Sequence, residues 1–334
     1  MNIRNKSILV TGGTGSFGKE FLQQTIKNLK SVKKLIIYSR DELKQYELSK
    51  VYSEKKYPFL RYFIGDVRDA ERVNWALKDV DIVVHAAALK QVPAAEYNPI
   101  EAIKTNILGA QNIIEASLKN NVQKVVALST DKASSPINLY GATKLCSDKL
   151  FTAANNFKGR RKISFSVVRY GNVFGSRGSV IHNFLHQKKT GVILLTNQKM
   201  TRFIISLQDG VKLVYWTIKN SFGGEIIVPR IPSLRIIDLA KVVSPKSKYK
   251  VIGARPGEKL HEDLISSNES RNTLIYQNKY IIFDPLNEKI KKFYTKKGGR
   301  KVKENFKYDS FTNKDFLLKK QIEKIVFNFI KNFN

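Results

Sequence analysis

Short apolar runs recur along the first half of the chain, and helix-period stretches separate them. Ser7-Ile8-Leu9-Val10, Leu35-Ile36-Ile37-Tyr38, Tyr62 to Val67, Asp81-Ile82-Val83-Val84-His85, Val125-Val126-Ala127-Leu128 and Ile163 to Val168 read as buried strands. A helix opens at Lys19-Glu20-Phe21-Leu22, and a long one is expected after Pro93, through Asn106 to Leu118. Strand alternating with helix over about 170 residues predicts an α/β fold: a Rossmann-type, doubly wound parallel sheet whose strand ends hold the ligand. Beyond Gly175 the alternation lapses. A strand at Thr201 to Ile204, a helix from Leu207 to Ile218, a strand at Ile226 to Pro229 and a helix starting at Ile236 predict a smaller C-terminal lobe. The expected division is 1–172 for the Rossmann domain and 173–290 for the second lobe, part of which is free to return to the first. The basic tail, 291–334, ends in an amphipathic helix near Ile322, Val326, Phe329 and Ile330.

Composition adds constraints rather than a function. The 334 residues carry a net charge of +31, which attracts polyanions in general. The basic residues are spread over the chain, densest from Lys291 to Lys303, and form no recognised nucleic-acid motif. A lysine-rich surface, or an electropositive pocket for a doubly phosphorylated ligand, accounts for them, and no nucleic-acid partner is expected. The start is polar and no apolar run approaches the ~18 residues of a membrane span, so a soluble, cytoplasmic protein without a signal peptide is expected. The single cysteine, Cys146, excludes an internal disulfide and reads as a small core residue. His182 and His186 have a spacing that metals use, but lack the intervening Glu and a third ligand, so they are read as structural and no metal is expected.

The strand ends carry the chemistry. Thr11-Gly12-Gly13-Thr14-Gly15-Ser16-Phe17-Gly18 sits between the first strand and first helix, where glycines permit a tight turn and close approach of backbone to a pyrophosphate. Gly12, Thr14, Gly15, Ser16, Phe17 and Gly18 are therefore candidate dinucleotide contacts. At the end of the second strand, Arg40 with Ser39 and Lys44 suits a ribose 2'-phosphate and so NADP over NAD. Asp41 beside them is the acidic residue that would favour NAD, and surface cations are the plain alternative for Arg40 and Lys44. Asp66, next to Val67, is placed to accept from an adenine amine or to cap the helix that follows at Asp69. Ala86-Ala87-Ala88 would let a strand end lie against the cofactor, while His85 reads as a satisfied core histidine.

The densest stretch runs from Ser129-Thr130-Asp131-Lys132 to Tyr140 and Lys144. A Tyr and a Lys four apart on a helix share a face, and a cation beside the phenol favours phenolate, so the pair can take a proton from an alcohol. The same spacing at Tyr46/Lys50, Tyr52/Lys56 and Tyr215/Lys219 reads as solvated helix faces. Only Tyr140 has a strand and an Asp-Lys pair just upstream. Gly253-Ala254-Arg255-Pro256-Gly257-Glu258-Lys259 is a stiffened loop with groups for a phosphate and a ribose.

Thr11-Gly12-x-x-Gly15-x-x-Gly18 together with Tyr140-x3-Lys144 resembles the extended short-chain dehydrogenase/reductases. The strings Tyr38 to Gln45, Gly65-Asp66-Val67-Arg68-Asp69, Ala86 to Pro93, Ser129 to Ala133 and Arg255 to Lys259 resemble a narrower group. That group is the inverting UDP-N-acetylglucosamine 4,6-dehydratases of the pseudaminic-acid pathway type. The similarity runs from about Lys6 to Leu264, apart from Val243 to Tyr249, and Phe306-Lys307-Tyr308-Asp309-Ser310 resembles the group's closing motif. The resemblance implies that Tyr140, aided by Lys144, takes the proton of a sugar 4-hydroxyl while NADP receives the C4 hydride. Lys132 would remove the C5 proton, Asp131 would assist loss of the C6 hydroxyl, and the hydride would return to C6 with C5 inverted. Lys132 must then be neutral and Asp131 protonated, so the two titrate as a coupled pair. The resemblance places Lys90, Tyr140, Asn172, Arg177, Gly178, Ser179, Val180, Thr196, Met200, Arg202 and Arg255-Pro256-Gly257-Glu258 at the UDP-sugar. Lys90, Ala86, Lys144 and Val173 join the cofactor set. It also implies a homo-oligomer. The alternatives are a retaining dehydratase, in which Asp-Glu would stand at Asp131-Lys132, or a UDP-sugar 4-epimerase, which would lack the pair. More remote is a non-catalytic Rossmann protein that binds polyanions.

Overall fold

The computed structural model describes residues 3–28, 32–285 and 287–333. Six strands, β1 (Ser7–Thr11), β2 (Lys34–Ser39), β3 (Leu60–Ile64), β4 (Ile82–His85), β5 (Lys124–Thr130) and β6 (Ser164–Tyr170), pair in parallel in the order β3-β2-β1-β4-β5-β6. Ile226–Pro229 adds a seventh parallel strand beside β6, and Lys279–Ile282, Thr273–Tyr276 and Arg300–Lys301 continue the sheet antiparallel. The fold is therefore a doubly wound α/β Rossmann architecture with an antiparallel edge. Every residue of β1 is buried, as continuous apolar strands covered by helices on both faces must be. The order reverses at β1, which pairs with β2 on one side and β4 on the other, and the crevice above that reversal is where such sheets bind ligands.

A second cluster of buried side chains lies beyond the sheet, around Ile181, Phe184, Met200, Ile204, Leu234 and Leu239. The strands Asn172–Val173, Thr201–Ile205 and Ser233–Arg235 form its sheet, and the final helix, Lys319–Phe333, packs Ile322 and Val326 into it against the helix Ile236–Val243. Among the described residues no helix is long and apolar enough to cross a membrane.

Three local expectations change. The segment after Pro93 is not one helix but Val92–Tyr97, Pro99–Ile103, a wide π turn at Lys104–Leu108, and Gly109–Lys119. Pro99 forces the first break, because the residue before a proline is pushed out of helical geometry. The wide turn holds Asn106 inward, where its amide bonds the Leu89 backbone N–H at 2.8 Å and carbonyl at 2.9 Å, and donates to Thr143 at 3.0 Å. Cys146 is exposed: on the helix Leu139–Phe157 the buried stripe runs through Tyr140, Thr143, Lys144, Ser147 and Phe151, and position 146 falls outside it. The helix Ala70–Ala76 is capped by Asp69, not Asp66, whose carboxylate accepts from Arg68 instead.

Candidate active site

A cavity of about 850 Å³ opens over the switch point. At one end the turn after β1 forms its floor. Gly12 has φ +64°, and a Cβ there would stand 3.0 Å from the Ala87 backbone nitrogen, so only glycine permits this approach of turn to strand end. Gly18 serves packing: its Cβ would lie 2.3 Å from the Gly13 carbonyl oxygen, and it does not line the cavity. Gly15 meets nothing closer than the Gly12 carbonyl at 3.1 Å, which leaves a cradle above the helix Ser16–Asn28 and its free amides. Thr14, Ser16 and Phe17 line the same end; Thr14 bonds Ser39 side chain to side chain at 2.8 Å. Arg40, Lys44, Asp66, Val67, Ala86 and Val173 complete this end of the lining.

The charges at the tip of β2 are already paired in part. Asp41 caps the helix Glu42–Val51, accepts from Lys44 N at 3.0 Å and binds the Lys44 ammonium. Its carboxylate is thus turned to its own helix, while Arg40 is half exposed and stands 3.7 Å from Asp66 Oδ2. Burial works to raise the Asp66 carboxyl, but hydrogen bonds and charge from Arg68, with Arg40 beside them, hold it below the usual carboxylate range.

At the other end β5 gives way to a tight turn, Asp131–Ala133, and Asn138 caps the helix carrying Tyr140 and Lys144 by accepting from Gly141 N at 2.8 Å. Asp131, Lys132, Tyr140 and Lys144 all line the cavity. The Lys132 ammonium donates to Asp131 Oδ1 at 3.1 Å and pairs with Glu262 Oε1 at 3.1 Å. Burial alone would lower the Lys132 pKa, but the two carboxylates outweigh it and raise it. The condition of a lowered Lys132 pKa is therefore not met in this state, because the amine lies between two acids.

Burial pushes the Tyr140 phenol up to about 12; the charge of Lys132 and the Thr130 hydroxyl beside it oppose the rise. The cation that acts most on Tyr140 is thus Lys132 rather than Lys144. Burial lowers the Lys144 ammonium, offset by the charge of Asp148 below it. Asp148 accepts from Ser129 Oγ at 2.8 Å and from the fully buried Arg169, which also donates to Glu269 at 2.8 Å. His85 lies in the core, bonded through Nδ1 to Thr11 Oγ1 at 2.9 Å.

The loop after residue 252 closes this end. Asn138 Nδ2 donates to the Gly257 carbonyl at 2.8 Å and Lys259 Nζ to the Ser134 carbonyl at 2.8 Å, which fastens the loop to the turn after β5. Arg202, almost wholly buried, donates to the carbonyls of Thr201, Lys259 and Leu260 and lies 3.6 Å from Glu258. Arg255, Pro256, Gly257, Glu258, Asn172, Arg177, Gly178 and Ser179 reach the lining, as does Lys90, whose ammonium donates to the Arg177 carbonyl at 3.1 Å. Burial, with the charge of Lys132 nearby, lowers the Lys90 pKa. Val180, Thr196 and Met200 do not line the cavity. Met200 sits in the second hydrophobic cluster with Val180 against it, and Thr196 follows the strand Val192–Leu195.

The family model for polysaccharide biosynthesis proteins matches residues 8–284. The chain belongs to that family. The UDP-N-acetylglucosamine 4,6-dehydratase (inverting) of Campylobacter jejuni is 51% identical over 333 residues, covering 96% of this chain and 97% of the relative. The similarity carried by the Asp131-Lys132 and Arg255 to Lys259 strings thus extends to almost the whole chain. A protein of Rickettsia bellii named UDP-glucose 4-epimerase is 46% identical over 272 residues, 79% of each chain. The X-ray structure of Pen from Bacillus thuringiensis superposes with a TM-score of 0.88 at 36% identity, covering 98% of both chains.

In this polysaccharide biosynthesis protein three cavity or under-cavity groups went unread in the sequence: Glu262, Thr130 and Asp148. Glu262 is the most consequential, 2% exposed and in contact with Lys132. Its one local sign was an acidic residue just past the Arg255 to Lys259 string.

Proposed function

We propose that the chain is an inverting UDP-N-acetylglucosamine 4,6-dehydratase. It oxidises the sugar at C4, eliminates water across C5 and C6 and returns the hydride to C6, giving UDP-2-acetamido-2,6-dideoxy-β-L-arabino-hex-4-ulose. The observation that carries this reading is the Asp131–Lys132 pair standing beside Tyr140 on a cavity that also opens over the glycine turn after β1. The glycine cradle and the helix amides behind it fit a dinucleotide pyrophosphate, and Arg40 with Ser39 favours NADP over NAD. A nicotinamide held there would supply the hydride acceptor for C4 and the donor for C6.

Tyr140 takes the proton of the 4-hydroxyl, with Lys132 and Thr130 pulling its phenol toward ionisation against the effect of burial. The new ketone acidifies the C5 proton, which Lys132 removes once its amine is free. Asp131, in its protonated form, gives a proton to the departing C6 oxygen. Lys144 holds positive charge below Tyr140, and Lys90, Asn172, Arg177, Gly178, Ser179 and the Arg255 to Glu258 loop hold the nucleotide sugar. In this arrangement 1–172 binds the cofactor and 173–290 supplies most of the sugar-nucleotide side. The enzyme works as a homo-oligomer in the cytoplasm.

The test is incubation of the protein with UDP-N-acetylglucosamine and NADP in heavy water. The expected product is a 4-keto-6-deoxy sugar carrying deuterium at C5 with inverted configuration and no net cofactor reduction. A C4 epimer, or a product that keeps its C5 configuration, would replace this reading with an epimerase or a retaining dehydratase.

A further inference from the structure

We propose that Glu262 takes the ammonium proton of Lys132 and so frees the amine to act on C5. The inference rests on the dehydratase reading and goes beyond it to a positioning residue outside the Tyr140 and Asp131–Lys132 sets. A lysine between two carboxylates is a poor base until its proton moves. In the step proposed here an N–H bond of Lys132 breaks, its electron pair stays on nitrogen, and an O–H bond forms on Glu262 Oε1, 3.1 Å away. Ammonium and carboxylate become amine and neutral acid, so no net charge enters the buried site. The amine then accepts the C5 proton.

One geometric fact favours Glu262 over Asp131 as the acceptor. Asp131 Oδ1 already accepts from Thr130 Oγ1 at 2.9 Å as well as from Lys132, so a proton arriving there would have to displace one of those donors. Glu262 is buried as Asp131 is, and each keeps one carboxylate oxygen without a hydrogen-bond partner among the described residues, Oε2 and Oδ2; the nearest other cation to Glu262 is Arg202, whose Nε stands 3.9 Å from Oε1. The charged groups that face Glu262 are Asp131 and Lys132 from the turn after β5 and Arg202 from the strand Thr201–Ile205. From the segment after Tyr308–Asp309 the uncharged Ser310 reaches it, its hydroxyl accepting from Glu262 N at 3.0 Å. Burial and the charge of Asp131 hold the Glu262 carboxyl above the usual carboxylate range, in the direction a proton acceptor needs.

The test is Glu262→Gln in the full-length protein with NADP and UDP-N-acetylglucosamine, following two steps separately. Oxidation at C4 is read as transient cofactor reduction, and C5 exchange as deuterium uptake in heavy water. The wild type is expected to exchange at a rate that is flat around neutral pH, because the proton moves inside the site. In Glu262→Gln the proton must leave to solvent, so exchange at neutral pH is expected to fall about a hundredfold and to rise about tenfold per pH unit. C4 oxidation is expected to survive. A flat profile at the wild-type rate would show that Asp131 alone accepts the proton, and loss of C4 oxidation together with exchange would assign Glu262 to holding the site; either overturns the proposal. A wild type that neither oxidises C4 nor exchanges C5 would instead overturn the dehydratase reading itself.

Discussion

The two ends of the cavity are built in opposite ways. The floor of the nucleotide end is made by one short segment, Thr11 to Gly18, whose backbone and helix amides do the work, while the charges around it, at Arg40, Asp41, Lys44 and Asp66, pair at the tips of neighbouring strands. The other end assembles Asp131 and Lys132 from the turn after β5, Arg202 from a strand of the second cluster and Glu262 from a segment further on. Its charges depend on one another. Backbone cradles are stable to the protonation of their neighbours, whereas a buried cluster of acids and amines changes character when one proton moves. Binding of a nucleotide and proton transfer at a sugar carbon need just this division, because only the second has to change state during turnover.

The sharpest way to separate the ends is Lys132→Met. Removing a positioned base costs about 10²–10⁴ in rate, so C5 exchange should fall by that factor. Cofactor affinity, measured by titration with NADP, should not change, because no contact of the glycine turn involves Lys132. A parallel loss of cofactor binding would mean that the two ends are one coupled structure.

The second prediction concerns what lies under the charged end. Arg169 is fully buried between Asp148 and Glu269. Arg169→Met leaves two carboxylates without their cation and should cost about 3–5 kcal/mol in denaturant unfolding at neutral pH. The pH dependence has a definite sign. Burial works to raise the Glu269 carboxyl, but the Arg169 charge and hydrogen bonds hold it below its ordinary value. Its contribution to stability is therefore present above the unfolded carboxylate range and lost as pH falls through the lower, folded value. Arg169→Met should remove that part of the acid-side loss, so the gap between variant and wild type should narrow as pH falls.

The same contrast explains what could be read from the chain. The glycine turn, the six parallel strands and the Tyr140 to Lys144 helix are contiguous patterns, and alternating apolar runs with glycines between them need no distant partner to be recognised. The Lys132–Glu262 contact joins segments brought together only by the packing of the second cluster, and nothing near Glu262 marks its neighbour. Met200 is the reverse case: it lies near Arg202 in sequence, and its side chain goes into apolar packing just before the strand Thr201–Ile205. The break at Pro99 was marked by the proline itself, but the wide turn at Lys104–Leu108 follows from the inward set of Asn106 and had no sign in the apolar spacing.

On the backbone-built end, Gly18→Ala is the next largest perturbation. The added Cβ would stand 2.3 Å from the Gly13 carbonyl oxygen and 2.5 Å from its Cα, and neither is the end of a flexible side chain. Relief requires the helix Ser16–Asn28 to move off the turn, at about 1–3 kcal/mol. Cofactor affinity should weaken while the pH dependence of C5 exchange stays as in the wild type. A change in that dependence would show the glycine turn reaching the charged cluster.

Arg40→Ala tests the one place where the nucleotide end does use charge. The guanidinium is half exposed and its partner Asp66 is already held by Arg68 at 2.7 Å, so removing Arg40 leaves no buried carboxylate unpaired and should cost little stability. What it removes is the less tightly held cation at the tip of β2, 3.7 Å from Asp66, whereas the Lys44 ammonium is engaged by Asp41. A charge-assisted contact at so exposed a site contributes about 1 kcal/mol, so the preference for NADP over NAD should fall by roughly fivefold to tenfold. The ratio of the two dissociation constants, measured on the same preparation, checks this. An unchanged ratio would place the 2'-phosphate away from Arg40 and leave Ser39 and Thr14, already bonded to each other at 2.8 Å, as the groups that meet the adenosine ribose.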